Sequence, residues 1–284
     1  MKEVIVLANI YHAKLNINEK IFSVYKEILN LQDLLHNLFS KINSNVKVKG
    51  SKFTYNFADL TFDNEELVIY GRLAKVYDSK ELNIFDSEKK TIRTNNVKNS
   101  TDYVAFVFDV KNEKIYFCPI QTFGRKEFLE IFAILIEECY KDIGYVKIYL
   151  LTETKEFDVK FKKIEKLRTF TAIIVPPNAG SDDAILKKNE IKKEMEEANA
   201  KELGIYLKSD VRDPINKKSD LISKIKKFAA KGYGYIKADG RDKNNNEVKI
   251  NTEEDKELQK RTPIDKSLRN SSVEIYEQIK KYDK

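Results

Sequence analysis

Two groups of residues in the last third of this chain have types and spacings that could do chemistry. Lys231-Gly232-Tyr233-Gly234-Tyr235-Ile236-Lys237 alternates aromatic with small residues between flanking lysines. On a strand successive side chains face opposite ways, so Tyr233, Tyr235 and Lys237 are expected on one face, with Gly234, Ile236 and Ala238 on the other. Such a stripe offers rings on which nucleobases stack, at roughly 1–3 kcal/mol per base, and cations that hold the phosphates. Lys231, Arg241, Lys243 and Lys249 would extend the phosphate track, together with Lys224 and Lys227 on the outward face of the preceding helix. The opposing outcome is a Tyr pair packed on a neighbouring helix, an ordinary fate for strand tyrosines. The second group is Asp239, Asp242, Glu247 and Lys249. Carboxylates with a lysine two residues on form the set with which a nuclease holds Mg²⁺ and steadies a scissile phosphate. Glu-x-Lys also occurs at Glu88, Glu153, Glu190 and Glu254, so its spacing alone has little specificity.

The 231–237 segment resembles the first ribonucleoprotein motif of RNA-recognition and cold-shock domains, in which a basic residue and Gly precede aromatic, Gly, aromatic and aliphatic residues. It departs from that motif at Ala238, where a further aromatic would stand. The candidate partner run Ile5 to Ile10 offers Val6 in the stacking position. Walker, nucleophile-elbow, zinc and kinase signatures are absent. No metal site and no resident cofactor are expected, Mg²⁺ entering only with the nuclease alternative. A protein-interaction role, in which the same lysines meet an acidic partner or a second copy of the chain, fits the charges as well.

Composition favours a polyanionic partner. The 284 residues carry a formal charge of +7, and between Leu207 and Ile250 twelve Lys or Arg face six Asp or Glu. The positive field thus coincides with the Tyr stripe. The apolar run Val4 to Ala8 is too short to span a bilayer and lacks a cleavage site, so neither a leader nor a membrane helix is expected. Cys118 and Cys139 sit in apolar contexts and read as buried thiols of a reducing cytoplasm. His12 and His36 read as structural, since neither has a zinc-ligand neighbour.

The elements that must position these groups are of mixed type. Val4 to Tyr11 reads as a strand and Glu19 to Ile42 as one long core helix. Residues 47–57, 67–77, 103–110 and 114–119 read as strands, with a mobile loop over 79–100. A helix over 128–140 is followed by strands over 145–151 and 169–175. Pro176-Pro177 ends the last of these, and Ser181 caps a charged helix over 182–200, with Asp182 and Asp183 in its first turn. An amphipathic helix over 217–230 leads into the Tyr strand, a hairpin and a second strand over 247–251; a C-terminal helix covers 272–281. The expectation is an α+β protein, a mixed, mainly antiparallel sheet with several long helices. Residues 1–175 would form the core domain, and 176–284 a basic helix-hairpin region, either independent or packed on the same core.

Read end to end, the order of features is similar to that of an uncharacterised bacterial family, the domain of unknown function 4747. The resemblance rests on Tyr70-Gly71-Arg72, on Phe106-Val107-Phe108-Asp109 with Ile115-Tyr116-Phe117, and on Pro177-Asn178 before the charged helix that ends at Asn199. Gly232 to Tyr235, Gly240-Arg241-Asp242 and Asn251-Thr252 complete it. It implies a cytoplasmic bacterial protein of phage-defence or mobile-element neighbourhoods and supplies no catalytic residue.

Overall fold

The computed structural model describes residues 6–178, 190–210 and 212–282. The chain opens with β1 (Leu7–Ile17), α1 (Ile21–Tyr25) and α2 (Leu31–Lys41). The single helix expected over Glu19 to Ile42 is therefore two. Glu27 takes a positive φ of 58°, and the Asn30 side chain caps α2 by accepting from the N–H groups of Gln32 and Asp33 at 2.8 and 3.3 Å. The apolar 3.6-residue period runs on through such a break and does not reveal it.

A run of strands follows: β2 (Val48–Lys49), β3 (Phe53–Asp63), β4 (Val68–Tyr77), β5 (Lys80–Asp86), β6 (Thr91–Val97), β7 (Ser100–Asp109) and β8 (Lys114–Phe117). Residues 79–100 are thus no loop. β4 and β7 stay in register as far as Tyr77 and Ser100, and the chain continues into the β5–β6 hairpin, whose turn the Asp86 carboxylate closes by accepting from the N–H groups of Glu88 and Lys89. Polar composition hid these strands because both of their faces are exposed. After α3 (Arg125–Cys139) come β9 (Val146–Leu150), α4 (Thr154–Lys163), β10 (Lys166–Ile174), α5 (Glu190–Glu197) and β11 (Leu203–Lys208). The chain ends with α6 (Asp220–Ala230), β12 (Gly234–Arg241), β13 (Glu247–Asn251), β14 (Arg261–Asp265) and α7 (Ser272–Tyr282). Every strand pair among the described residues is antiparallel, so the α+β class holds. Long helices do not: among the described residues α3 is the longest at 15 residues, and none is long and apolar enough to cross a membrane. Asp182 and Asp183 lie outside the described residues.

The strands form two main sheets. The first has the order β14-β1-β8-β7-β4-β3-β2, with β9 beside β14 on the same edge of β1. α2 and α3 cover one face over Phe57, Phe106, Phe108 and Phe117, and Phe128 of α3 stacks on Phe117 at 4.0 Å. α7 covers part of the other face with Ile275 and Ile279 against Val107 and Ile264. Gly71 belongs to this packing, because a Cβ there would lie 2.9 Å from the Phe106 ring directly across the strand pair. The second sheet has the order β11-β10-β12-β13, and α4, α5 and α6 pack on one face of it through Phe157, Met195, Ile225 and Phe228. A boundary at 175/176 therefore cuts across the layers. β10 precedes it yet joins the second sheet, while β14 and α7 follow it and return to the first.

Carboxamides lock the two sheets together. The Asn16 Nδ2 of β1 donates to the carbonyls of Lys147 at 3.2 Å and Gly232 at 3.0 Å. Asn178, 1% exposed, accepts from the Ile17 N–H at 3.0 Å and donates to the Leu15 carbonyl at 2.8 Å, so its side chain takes the part of a strand residue beside β1. Unpaired backbone groups in so buried a place are costly, which gives the Pro177-Asn178 pair a structural role.

Candidate nucleic-acid interface

Residues directly opposite in an antiparallel ladder share a face, so register alone reveals what the second sheet presents on the side its helices leave open. Three rungs do so. Gly204, Ile173 and Tyr235 make one; Tyr206, Thr171, Lys237 and Asn251 the next; Lys208, Thr169, Asp239 and Lys249 the third. Along β12 burial alternates strictly, with Gly234, Ile236, Ala238 and Gly240 buried and Tyr235, Lys237, Asp239 and Arg241 half-buried. Tyr206 stands 63% exposed. The Lys237 ammonium lies 5.0 Å from the Tyr235 ring centroid and 3.7 Å from Glu253. The open face thus carries two rings, Tyr206 and Tyr235, among Lys208, Lys237 and Lys249.

Tyr233 is not part of it. The expected three-residue stripe fails at Gly234, which adopts φ +142°, so that a Cβ would lie 1.9 Å from the Ile173 carbonyl oxygen. Only glycine takes that backbone readily, and it breaks the alternation at the first residue of β12. Tyr233 consequently turns inward. It is 0% exposed, edge-on to Phe228 at 6.5 Å and 5.4 Å from the Lys14 ammonium, which in turn pairs with Glu113 at 2.9 Å.

The other expected cations divide by location. Lys224 and Lys227 belong to α6, on the covered side of the sheet, and so do not extend a track along the Tyr235 face. Lys224 is also engaged by Asp220 at 2.7 Å and Glu190 at 2.5 Å, which in that order hold its ammonium above the usual lysine range. Lys231 is the half-buried C-cap of α6. Arg241 donates to the Asn245 carbonyl at 2.7 Å and braces the hairpin turn on which Lys243 stands exposed.

The four carboxylate-group candidates separate too. Asp242 accepts from the N–H groups of Asn244 and Asn246 at 2.8 Å each and from Asn246 Nδ2 at 3.1 Å; the Asn246 bonds, first of these, hold it below the usual carboxylate range. It is a turn-former. Asp239, Glu247 and Lys249 do meet on the open face, where the Lys249 ammonium lies 3.1 Å from Glu247 and lowers its pKa. Among the described residues no three His, Cys, Asp or Glu side chains gather closely enough to hold a metal ion.

Beside this face lies a feature that periodicity did not reveal. α3, β9 and the start of β12 enclose a cleft of ≈ 540 Å³. Tyr149 of β9 closes on Tyr235 at 6.1 Å, and Tyr145 precedes β9 with the Lys147 ammonium 5.0 Å from its ring. Burial opposes the Lys147 charge, but Tyr145 and Glu202 outweigh it and raise its pKa; burial also raises that of Tyr149, which stays a neutral donor. The alternation Gly204-x-Tyr206-x-Lys208 was the sequence signal for β11. Tyr145 and Tyr149 had none, because their value depends on β9 lying against β12.

His12 and the two cysteines are held within the fold. His12 lies within β1 with Nε2 2.9 Å from Thr262 Oγ1, and burial, helped by Lys260 and Lys114, lowers its pKa to about 3. Burial raises the Cys118 thiol to about 11 and also raises Cys139. Neither is a nucleophile at neutral pH.

No curated protein matches the chain. A family model described as a domain of unknown function, DUF4747, matches residues 8–281, which takes in both sheets and the cleft between them. The protein belongs to the DUF4747 family.

Proposed function

We propose that this protein binds single-stranded nucleic acid, RNA or DNA, across the open face of the second sheet. The observation that carries the reading is the rung pattern. Tyr206 and Tyr235 lie two strands apart on an uncovered face, with Lys208, Lys237 and Lys249 on the same side. Rings on a sheet accept unstacked bases of any sequence, and the lysines between them neutralise backbone charge. The free thiols Cys118 and Cys139 fit a reducing cytoplasm.

Fluorescence anisotropy of labelled single-stranded RNA, single-stranded DNA and duplex DNA, over a salt series, tests it. Single-strand binding should weaken with salt and fall with Tyr206→Ala or Tyr235→Ala in variants whose melting is unchanged. Salt-sensitive binding that ignores both rings would point to simple charge attraction, and no binding at low salt would leave a protein partner as the occupant. A second reading follows from Asp239 and Glu247 beside Lys249. Mg²⁺ needs only one or two carboxylates when substrate phosphates complete its shell, so adding Mg²⁺ to the bound complex, with Asp239→Asn as control, tests for cleavage.

A further inference from the structure

The cleft between α3, β9 and β12 has walls of one character and a mouth of another. Leu129, Ala133 and Ile134 of α3 face Ile148 and Leu150 of β9, with the Tyr149 and Tyr235 rings at one end. A phosphate does not suit the interior, because four carboxylates, Glu130, Glu137, Glu253 and Glu254, line it against Arg125, Lys126 and Lys147, and Arg125 already donates to Gln259 and the Glu254 carbonyl. Lys126 is exposed at the lining and Lys147 is half-buried, so cationic groups are available beside an apolar slot. The occupant these walls fit is flat, uncharged and able to donate N–H groups to a carboxylate.

Glu137 is the carboxylate best placed to receive them. It is half-buried, and one oxygen is already fixed by the Val146 N–H at 2.9 Å, which orients the group where β9 begins. Burial raises its pKa, and the Val146 N–H opposes that rise. Of the bases, guanine carries adjacent N1–H and N2–H donors that match two carboxylate oxygens, whereas uracil has one N–H flanked by carbonyls that a carboxylate repels.

We infer that this cleft accepts one unstacked nucleobase of the strand that crosses the open face, and that Glu137 makes guanine preferred over uracil. The inference rests on the proposed function for its strand but concerns a separate pocket. Tyr235 joins the two, since it belongs both to the open face and to the cleft.

Calorimetric titration of GMP and UMP into the full chain, beside anisotropy of oligo-G-containing and oligo-U strands, separates the two ideas. GMP should bind saturably and at least ~10-fold more tightly than UMP, the scale of one hydrogen-bonded base discrimination. Ile134→Trp, at a residue 40% exposed and so tolerant of change, should fill the slot and abolish GMP binding. Glu137→Gln keeps an acceptor for Val146 and should bring the GMP to UMP ratio near one. Tyr206→Ala, outside the cleft, should leave GMP binding intact. If oligonucleotides bind and respond to Tyr206→Ala while GMP does not bind, or binds no better than UMP, the pocket is overturned and the proposed function survives. GMP binding lost in Ile134→Trp, with no oligonucleotide binding, would uphold the pocket and overturn the proposed function.

Discussion

The two sheets of this protein are built from the same strand chemistry but finished differently. The first buries side chains on both sides, under α2 and α3 on one face and α7 on the other, and from Ile10 onward β1 is buried along its whole length. The second is covered only by α4, α5 and α6, and its strands alternate between buried and open positions. Aromatic residues follow the same division. In the first sheet Phe57, Phe106, Phe108 and Phe117 stack into one core, whereas Tyr206 and Tyr235 of the second meet water. A sheet that folds with one face bare must keep its rings polar at the tip and its cations close, which describes Tyr and Lys. What stabilises the first sheet is thus spread over two faces, while one face of the second stays uncovered among the described residues.

Four tests break or sharpen that contrast. The largest effect should come from Tyr233, which lies one residue from the open face yet inside the core. Tyr233→Ala should destabilise the fold by about 3–5 kcal/mol in chemical denaturation, the usual range for a buried aromatic. Tyr206→Ala should leave stability within about 0.5 kcal/mol. Equal costs for the two would mean the faces are not distinct.

Acid tests the doubly covered sheet. His12 titrates at about 3 in the fold against 6.5 as its ordinary value, so the unfolded chain takes up the proton first. Its contribution is fully present above pH 6.5 and is lost as pH falls toward 3. At ~1.4 kcal/mol per unit, the loss is about 3 kcal/mol by pH 4. Urea titrations at pH 7, 5.5 and 4 should show that slope for the natural chain and about one proton less for His12→Gln. A slope unchanged by the substitution would show that other groups dominate acid unfolding.

On the open face, Tyr235→Ala and Tyr206→Ala should each weaken single-strand binding by roughly 1–3 kcal/mol, read as dissociation constants at fixed salt. The smallest effect belongs to the covered side. Lys224→Ala removes ion pairs to Asp220 and Glu190 and should leave both stability and affinity nearly unchanged. A larger affinity loss would put α6 back in the binding surface.

Much of this contrast was legible in the residues. Runs of β-branched and aromatic residues placed β4, β7, β8 and β13 closely, and apolar stretches placed α3, α6 and α7, helices that each bury one face. What failed did so for local reasons. Gly234 reverses the side of a single tyrosine, Asn30 divides a helix whose apolar period continues, and the β5–β6 hairpin has no buried face to pattern it. β14 carries Pro263, a residue that argues against a strand, yet β14 is an edge strand, where proline is tolerated. Half of the candidate site was visible, Tyr235 with Lys237 and Lys249. Tyr149 and Lys147 became part of it only through the approach of β9 to β12, a contact between positions almost ninety residues apart.

β1 carries a consequence for how the chain is made. Leu7 pairs with Asp265 and Tyr11 with Arg261, so β1 waits for a strand synthesised far later in the chain. At ~5–20 residues per second, a ribosome needs roughly 10–50 s to supply the partner. During that interval the Leu7–Tyr11 part of one edge of β1 and the face later covered by α7 have no cover. Closure of the first sheet should therefore follow the synthesis of β14 and α7.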